Sequence, residues 1–355
     1  RIAEPGEFTR RAFLHGKMDL TQAEAVMDLI SADTEKAADA ALLQLKGNIS
    51  DSLARTYDSI ISTCADLEAY IDFEEDEPHD LDRAAALDAL TEQRESLNAW
   101  LRTWTDGRLL RDGAQAVICG QPNVGKSTLL NTLLGSERAI VTPIPGTTRD
   151  SIEEAFVLDG ALVRLTDTAG LRESDCPVEA EGVERSRERI RDADLAIYII
   201  DGSRVLDATD RTNLTGLDPD RTICVINKAD LGLKTTAADV KDSVQGAEAS
   251  PRTVITSLLD GTGITDLRDA LRSALELGND GHATATVSER HRNHLMAAQQ
   301  SLDDAIAELQ TGQEDRVILA GSCLREALNE IGAITGRTYS EELLDSIFDR
   351  FCIGK

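Results

Sequence analysis

Apolar and polar positions divide the chain into helical stretches at both ends and a central section of alternating strands and helices. Residues 1–20 have no clear period and contain a Pro-Gly turn, so they are predicted to be irregular. From 21 to about 73 the apolar positions recur as in an amphipathic helix, interrupted only by Gly47, and a second helical stretch covers 82–111. The sequence TQAE at 21–24 predicts a capping box at the start of the first stretch.

After residue 112 the pattern changes to short apolar runs of strand length. Strands are predicted at 114–119, 152–158, 161–166, 195–200, 222–226 and 253–256, and a helix at 263–277. Asp159-Gly160 is a hairpin signal between the second and third strands. Because strands alternate with helices, we expect a mostly parallel sheet with helices on both faces.

Helical patterns return after a linker at 278–287 and cover residues 288–310, 314–334 and 340–351. We therefore predict an α/β domain at 112–277 inserted into an all-α helical domain, whose halves are 1–111 and 288–355. Two separate helical bundles are the alternative, but short flanking pieces bury their apolar faces better together.

The net charge, the lengths of the apolar runs and the cysteine spacing indicate which partners and which cellular environment the protein can have. The net charge is −27 and the pI is near 4.5, so the surface should repel phosphate backbones unless a basic patch or a partner protein intervenes. No apolar run approaches the roughly eighteen residues of a membrane span. The six cysteines form no C-x-x-C pair, which favours thiols in a reducing cytoplasm. Since the chain opens at Arg1 without a methionine, we expect a fragment of a longer protein.

The sequence GQPNVGKS at 120–127 fits the phosphate-binding loop G-x-x-x-x-G-K-[ST] between a predicted strand and helix. Backbone amides and the helix N-terminus suit phosphate oxygens, Lys126 reaches the β and γ phosphates, and the Ser127 hydroxyl suits Mg²⁺. The nucleotide contacts predicted here are Asn123, Val124, Gly125, Lys126, Ser127 and Thr128.

Three further motifs follow in the order of a GTPase. DTAG at 167–170 can hold the magnesium shell and sense the γ phosphate, which assigns Asp167, Thr168, Ala169 and Gly170 to the site. NKAD at 227–230 selects guanine, because the Asp230 carboxylate accepts from both N1–H and the 2-amino group, which adenine lacks as a pair. Asn227 and Lys228 belong to the same loop, and Ser257 with Leu258 follows the last strand. Together these motifs predict a Ras-like P-loop G domain that binds GTP.

The switch and catalytic residues are less determined by spacing. Thr147 and Thr148 both stand where a switch threonine would coordinate Mg²⁺. No glutamine follows Gly170, so the side chain that orients the attacking water must come from elsewhere, and the nearby acids are Glu173, Glu179 and Glu181.

The whole chain resembles the MnmE (TrmE) family of tRNA-modifying GTPases. The resemblance lies in PGEFTRRAFL at 5–14, GKMDLTQAEA at 16–25, FCIGK at 351–355, the G-domain motifs and their nested arrangement. Missing is the family's N-terminal folate-binding and dimerisation domain, which would precede Arg1.

The resemblance implies an activity and its residues. The family uses GTP hydrolysis to form 5-carboxymethylaminomethyluridine, or a related group, at the tRNA wobble position. It implies Thr148 on Mg²⁺ beside Ser127, and Glu179, within VEAEGVE at 178–184, as the residue that orients water. It also implies K⁺ held by Asn123, Thr142, Ile144 and Thr147, folate contacts from Lys17 and Lys355, and Cys352 as a cysteine required for tRNA modification.

The resemblance also implies cofactors and partners. These are a tetrahydrofolate one-carbon donor, the FAD-containing partner MnmG in a heterotetramer, tRNA, a homodimer with GTP-dependent pairing of G domains, and a cytoplasmic location without membrane attachment. From the residues alone, the alternatives are a ribosome-assembly GTPase that acts as an RNA-binding switch, or a structural adaptor with a degenerate site. The intact Lys126, Ser127 and Asp230 argue against the adaptor.

Overall fold

The structure, a computed structural model, describes residues 1–72, 81–137, 154–166, 190–244, 250–275, 287–349 and 351. The chain divides into two compact units, Arg1–Arg111 with Ala283–Lys355, and Asp112–His282. The first unit is helical and contains α1 (Glu7–Leu14), α2 (Leu20–Ile30), α3 (Glu35–Leu45), α4 (Asn48–Asp72), α5 (Arg83–Arg102), α6 (Trp104–Asp112, whose last residue begins the second unit), α11 (Glu289–Gln310), α12 (Asp315–Thr335) and α13 (Glu341–Phe348).

The second unit alternates strands and helices. Its described elements are β1 (Ala114–Cys119), α7 (Lys126–Glu137), β2 (Glu154–Leu158), β3 (Ala161–Thr166), β4 (Leu195–Asp201), α8 (Ala208–Thr215), β5 (Thr222–Asn227), α9 (Ala237–Ser243), β6 (Arg252–Ile255) and α10 (Ile264–Ala274). Short 3₁₀ turns lie at Pro219–Arg221 and Ala229–Leu231.

One sheet with the strand order β2-β3-β1-β4-β5-β6 organises this unit. Only the β2–β3 pair is antiparallel among the described pairs, so the predicted mostly parallel sheet is confirmed. Asp159 and Gly160 join that pair with φ values of 51° and 84°, as a hairpin turn with two left-handed residues requires. Because the parallel strands run the same way, the loops after β1, β4, β5 and β6 meet at one edge of the sheet.

Helices from both ends of the chain share one apolar core in the first unit. Leu53 of α4 and Leu90 of α5 belong to the same buried cluster as Leu302 of α11 and Leu324 of α12, and each is at most 1% exposed. Removing such side chains from water is the main favourable term in folding. The two flanking stretches therefore form a single helical core.

The prediction that residues 1–20 are irregular is wrong. The helix α1 follows Gly6, whose φ of 63° suits glycine, and it buries Phe13 in a cluster with Leu20 and Phe348. Gly6 also lies close to Phe348, because a Cβ added there would come within 3.0 Å of the Phe348 side chain. The helix has too few apolar residues to show a period in the sequence, and it is stabilised by packing against α13.

The start of α2 also differs from the sequence prediction. The N-cap is Asp19 rather than Thr21: its carboxylate accepts a hydrogen bond from the Gln22 N–H at 2.9 Å, and the Asp19 N–H donates to the Gln22 side chain at 3.0 Å. The capping box is therefore two residues earlier, which places Leu20 in the buried first turn.

The two long helical stretches are interrupted more often than their apolar period indicates. The stretch at 21–73 is three helices, because Thr34 caps α3 by accepting from the Ala37 N–H at 3.2 Å and Gly47 takes a φ of 94° before α4. The stretch at 82–111 is two helices that separate at Thr103. The apolar period continues across these breaks, so periodicity alone does not reveal them.

A partly buried charge cluster links α2 to α11. Arg290 donates to the Glu24 carboxylate at 2.8 and 3.1 Å and to the carbonyls of Ala333 and Ile334 at the end of α12, and His291 Nε2 lies 2.6 Å from Glu24. Burial raises the pKa of Glu24, but the contacts with His291 and Arg290 more than offset it and hold the pKa at about 2. Burial lowers the pKa of His291.

Within the described ranges, no helix is both long and apolar enough to cross a bilayer.

Candidate functional site

The phosphate-binding loop connects β1 to α7 and has the backbone of a tight cradle. Gly120, Asn123 and Gly125 have φ values of 142°, 61° and 113°. A Cβ at Gly120 would lie 2.4 Å from the carbonyl oxygen of Ile199 on β4, so only glycine fits there. Since α7 begins at Lys126, the N–H groups of its first turn face this loop, as an anion site requires.

The side chain of Lys126 folds back onto the phosphate loop and contacts its backbone. Its Nζ donates to the carbonyl oxygens of Gly120 at 3.0 Å and Gln121 at 2.7 Å, and burial lowers its pKa. Because an ammonium group has three N–H donors, these bonds are compatible with a further one to a phosphate oxygen. The loop and Lys126 therefore fit the phosphates of a nucleotide.

The described residues also fit a magnesium ion shared with a nucleotide. Ser127 and Thr128 are exposed in the first turn of α7. Among the described residues, no group of three or more His, Cys, Asp or Glu side chains could hold a metal by itself. A hydroxyl together with substrate phosphates is a donor set that Mg²⁺ accepts, so Ser127 would hold the ion jointly with GTP.

Asn227, at the end of β5, ties three loops together. It is 4% exposed, its Nδ2 donates to the Val124 carbonyl at 2.9 Å, and its Oδ1 accepts from the Leu258 N–H at 3.1 Å. A Cβ at Gly125 would lie 2.4 Å from Asn227 Nδ2, so the glycine allows this approach. The phosphate loop, the NKAD loop and the loop after β6 are thus joined through one buried amide.

The carboxylate of Asp230, which the sequence predicts to bind guanine, accepts a hydrogen bond from the loop after β6. Ser257 Oγ donates to Asp230 Oδ1 at 2.9 Å, which leaves the second carboxylate oxygen for another donor. Lys228 adopts a left-handed backbone with a φ of 67°, just before the 3₁₀ turn that contains Asp230. The structure therefore brings together Asn227, Lys228, Asp230, Ser257 and Leu258.

Two acidic residues join this site that the sequence reading did not include. Asp201, at the end of β4, accepts from Lys228 Nζ at 2.6 Å. Asp207, the N-cap of α8, accepts from Gln121 Nε2 in the phosphate loop at 2.8 Å. The sequence did contain a signal for Asp201, which follows the predicted strand 195–200 as Asn227 follows the predicted strand 222–226. Because parallel strands end at one edge of a sheet, both residues could have been expected near the site.

Of the remaining predicted site residues, the structure describes Lys17 in the helical unit and Asn123 in the α/β unit. Lys17 is exposed in the helical unit, in the turn between α1 and α2. Asn123 is exposed at the turn of the phosphate loop. Outside the described residues lie Thr142, Ile144, Thr147, Thr148, Asp167, Thr168, Ala169, Gly170, Glu173, Glu179, Glu181, Cys352 and Lys355, and their assignments stay predictions.

Comparisons with known proteins point to one family. The family model described as the MnmE helical domain matches residues 20–352. The tRNA modification GTPase MnmE of Geobacter metallireducens is 42% identical over 361 residues, covering 100% of this chain and 76% of that protein. The same enzyme of Chlorobium phaeovibrioides is 43% identical over 361 residues, covering 100% of this chain and 75% of that protein.

Part of the chain is also similar to solved structures. The structure of Era from Aquifex aeolicus bound to GDP·AlF4⁻ is 27% identical, covers 55% of this chain and 67% of that chain, and has a TM-score of 0.33.

Proposed function

The chain belongs to the MnmE family of tRNA modification GTPases, and we therefore propose that it hydrolyses GTP at the P-loop site in order to modify the wobble uridine of tRNA. The product would be 5-carboxymethylaminomethyluridine or its aminomethyl analogue. The observation that carries the proposal is the buried Asn227 amide, which joins the phosphate loop to the two loops that read guanine.

Guanine selection follows from the chemistry of Asp230. Ser257 occupies one carboxylate oxygen, and the charge of the carboxylate suits two N–H donors of the guanine edge. An adenine base has no matching pair of N–H donors for this carboxylate, so ATP would gain less from binding here than GTP. The site therefore supports GTP as the substrate.

For the hydrolysis step, we infer that Glu179 orients the attacking water, and that a bound K⁺ would supply positive charge near the phosphates. The K⁺ ligands would be Asn123, Thr142, Ile144 and Thr147. Asn123 supports this assignment, because it is exposed at the phosphate-loop turn.

A complementary Mg²⁺ site is proposed for the same step. Ser127 and Thr148 would supply its protein ligands, with Asp167 in the surrounding shell. The ion would neutralise the phosphate charge as the bond to the leaving group breaks.

The modification chemistry is assigned to the helical unit. We propose that Lys17 and Lys355 contact a tetrahydrofolate one-carbon donor and that Cys352 is required for modification. The packing supports this grouping, because Phe351, which precedes Cys352 in the sequence, is buried in one cluster with Leu20, and Met18 packs against that cluster next to Lys17.

The proposed assembly includes a flavoprotein partner. We propose that the FAD-containing protein MnmG and tRNA act with this chain in the cytoplasm, and that GTP promotes pairing of two G domains within a homodimer. A net charge of −27 supports a partner for RNA binding, since the surface repels the phosphate backbone.

The test is nucleoside mass spectrometry of the tRNA wobble position in the source organism. Deletion of the full-length gene should remove the carboxymethylaminomethyl or aminomethyl group, and the native gene should restore it. A gene that carries Asp230→Asn should not restore the modification at normal cellular nucleotide levels. Unchanged wobble uridine after deletion would refute the proposal.

A further inference from the structure

Asp201 and Gly202, at the end of β4, contact the NKAD loop at residues 227–230. Asp201 pairs with Asn227 in the register of β4 and β5, and the Gly202 N–H donates to the Asn227 carbonyl at 2.8 Å. A Cβ at Gly202 would lie 2.8 Å from that carbonyl and 2.7 Å from the Ile226 side chain, so the approach needs glycine. The backbone of the NKAD loop is therefore fixed from the β4 side.

Asp201 adds an ion pair to this backbone contact. Its Oδ2 accepts from Lys228 Nζ at 2.6 Å, and its Oδ1 accepts from the N–H of Ser203 at 3.0 Å and from its hydroxyl at 2.6 Å. The side chains of Asp201 and Lys228 are only 15% and 29% exposed. Both carboxylate oxygens are thus used, and the carboxylate holds the lysine at one place.

We propose that Asp201 is a positioning residue of the guanine site, which holds Lys228 so that the lysine stem lines the pocket for the purine base. The proposal rests on the guanine-binding role of the NKAD loop proposed above. A lysine stem covers apolar surface while its ammonium group stays with a polar partner. An aromatic base is a suitable surface, because a positioned cation is also attracted to the face of a π system.

The lifetime of the bound nucleotide follows from this arrangement. An unpaired lysine samples many rotamers, and fixing one of them on binding costs conformational entropy. The ion pair restricts Lys228 before the nucleotide arrives, so the bound state is favoured and mainly dissociation is slowed. Lys228 belongs to the NKAD loop that is proposed to bind the base, so loss of Asp201 should affect nucleotide affinity more than kcat.

The experiment measures dissociation of a fluorescent GDP analogue from the full chain in a double-mutant cycle. The variants are Asp201→Asn, Lys228→Met and both together, because Lys228→Met keeps an apolar stem without the ammonium group. Asp239→Asn is the matched control: Asp239 also accepts from the N–H and hydroxyl of one neighbour, Thr236, both at 2.8 Å, but it belongs to the capping box in the first turn of α9.

We expect Asp201→Asn to speed GDP dissociation by about tenfold when Lys228 is present and by less than about twofold in the Lys228→Met protein. The KM for GTP should rise more than kcat falls, and Asp239→Asn should match the native protein. An unchanged dissociation rate, an equal effect in both backgrounds, or the same effect in Asp239→Asn would overturn the positioning role.

The failure of this inference is distinguishable from failure of the proposed function. Native protein that binds ADP as tightly as GDP would refute guanine recognition itself. Native protein that prefers GDP, with an Asp201→Asn variant that behaves as native, would refute the role of Asp201 alone.

Discussion

Replacing Asn227 with alanine tests the claim that one buried amide holds the nucleotide site together. The substitution removes the donor to the Val124 carbonyl and the acceptor for the Leu258 N–H. Val124 is 1% exposed and Leu258 is 9% exposed, so water has little access to the two backbone groups. Asn227→Ala therefore leaves a buried donor and a buried acceptor without their partner.

The expected loss in the free energy of unfolding can be worked out from these two unsatisfied groups. Each unsatisfied buried polar group costs about 1–3 kcal/mol, so we expect a loss of about 3 kcal/mol in the free energy of unfolding. For a unit of this size, 1 kcal/mol lowers Tm by about 2–4 °C, which gives a decrease of roughly 6–12 °C. Nucleotide affinity should fall as well, because the phosphate loop and the guanine loops are no longer held in register.

The assay is scanning calorimetry with and without GDP. Because a ligand stabilises only the unit that binds it, the transition that GDP raises in the native protein identifies the G domain. That transition should be the one lowered in Asn227→Ala. The control is Asn213→Ala at an exposed position of α8 in the same unit, which removes an amide that donates to the Tyr198 hydroxyl at 3.3 Å.

Two results would refute this reasoning. One is an Asn227→Ala protein whose GDP-sensitive transition moves by no more than that of Asn213→Ala. The other is native GDP affinity in Asn227→Ala despite a lowered Tm, which would restrict the amide to a role in folding.

Four further predictions concern catalysis, specificity and stability. Asp230→Asn should weaken GDP binding by about a hundredfold or more and favour xanthosine diphosphate, as measured by competition titration; native affinity for GDP would refute it. Glu179→Ala should slow single-turnover GTP hydrolysis by about a hundredfold with unchanged nucleotide affinity, and an unimpaired variant would refute the role of Glu179. The native protein should hydrolyse GTP faster in K⁺ than in Na⁺, and equal rates in the two salts would refute the role of K⁺. In the full-length protein, Cys352→Ser should abolish wobble-uridine modification but retain GTP hydrolysis, which nucleoside mass spectrometry and phosphate release would separate; normal modification would leave only a packing role. Glu24→Gln should lower the free energy of unfolding at pH 7 by about 2–3 kcal/mol, because it breaks a partly buried ion pair. The folded pKa of Glu24 is about 2, below its ordinary 4.5, so the native pair stabilises the protein above about pH 4.5 and loses this effect as the pH falls toward 2. Denaturation curves of the two proteins should therefore converge in acid.

The phosphate loop shows what could be predicted from the sequence. Its glycines, Lys126 and Ser127 are contiguous, and a tight turn that ends in a helix needs these residue types wherever it occurs. The hairpin at Asp159-Gly160 is similar, because two left-handed residues strongly limit the sequence. Features of this kind are encoded locally, so no knowledge of distant residues is required.

The helix boundaries show why other local features were missed. The helix α1 depends on burial of Phe13 against α13, which the sequence of 1–20 does not contain. Asp19 and Thr34 are the N-caps of α2 and α3, but other polar residues nearby could equally well have served as caps. For α2, the burial of Leu20 determines that the helix starts after Asp19. Local propensity is a weak prior when a buried contact elsewhere sets the boundary.

Local residue patterns were enough to predict the phosphate cradle, the NKAD carboxylate proposed to bind guanine, and the alternation of strands and helices. How these parts contact one another depends on the tertiary fold. Asn227 reaches Val124 across 103 positions of the chain, and Asp201 reaches Lys228 across 27. Such contacts depend on strand order and register, which arise when distant segments bury a common core, and no local pattern specifies them.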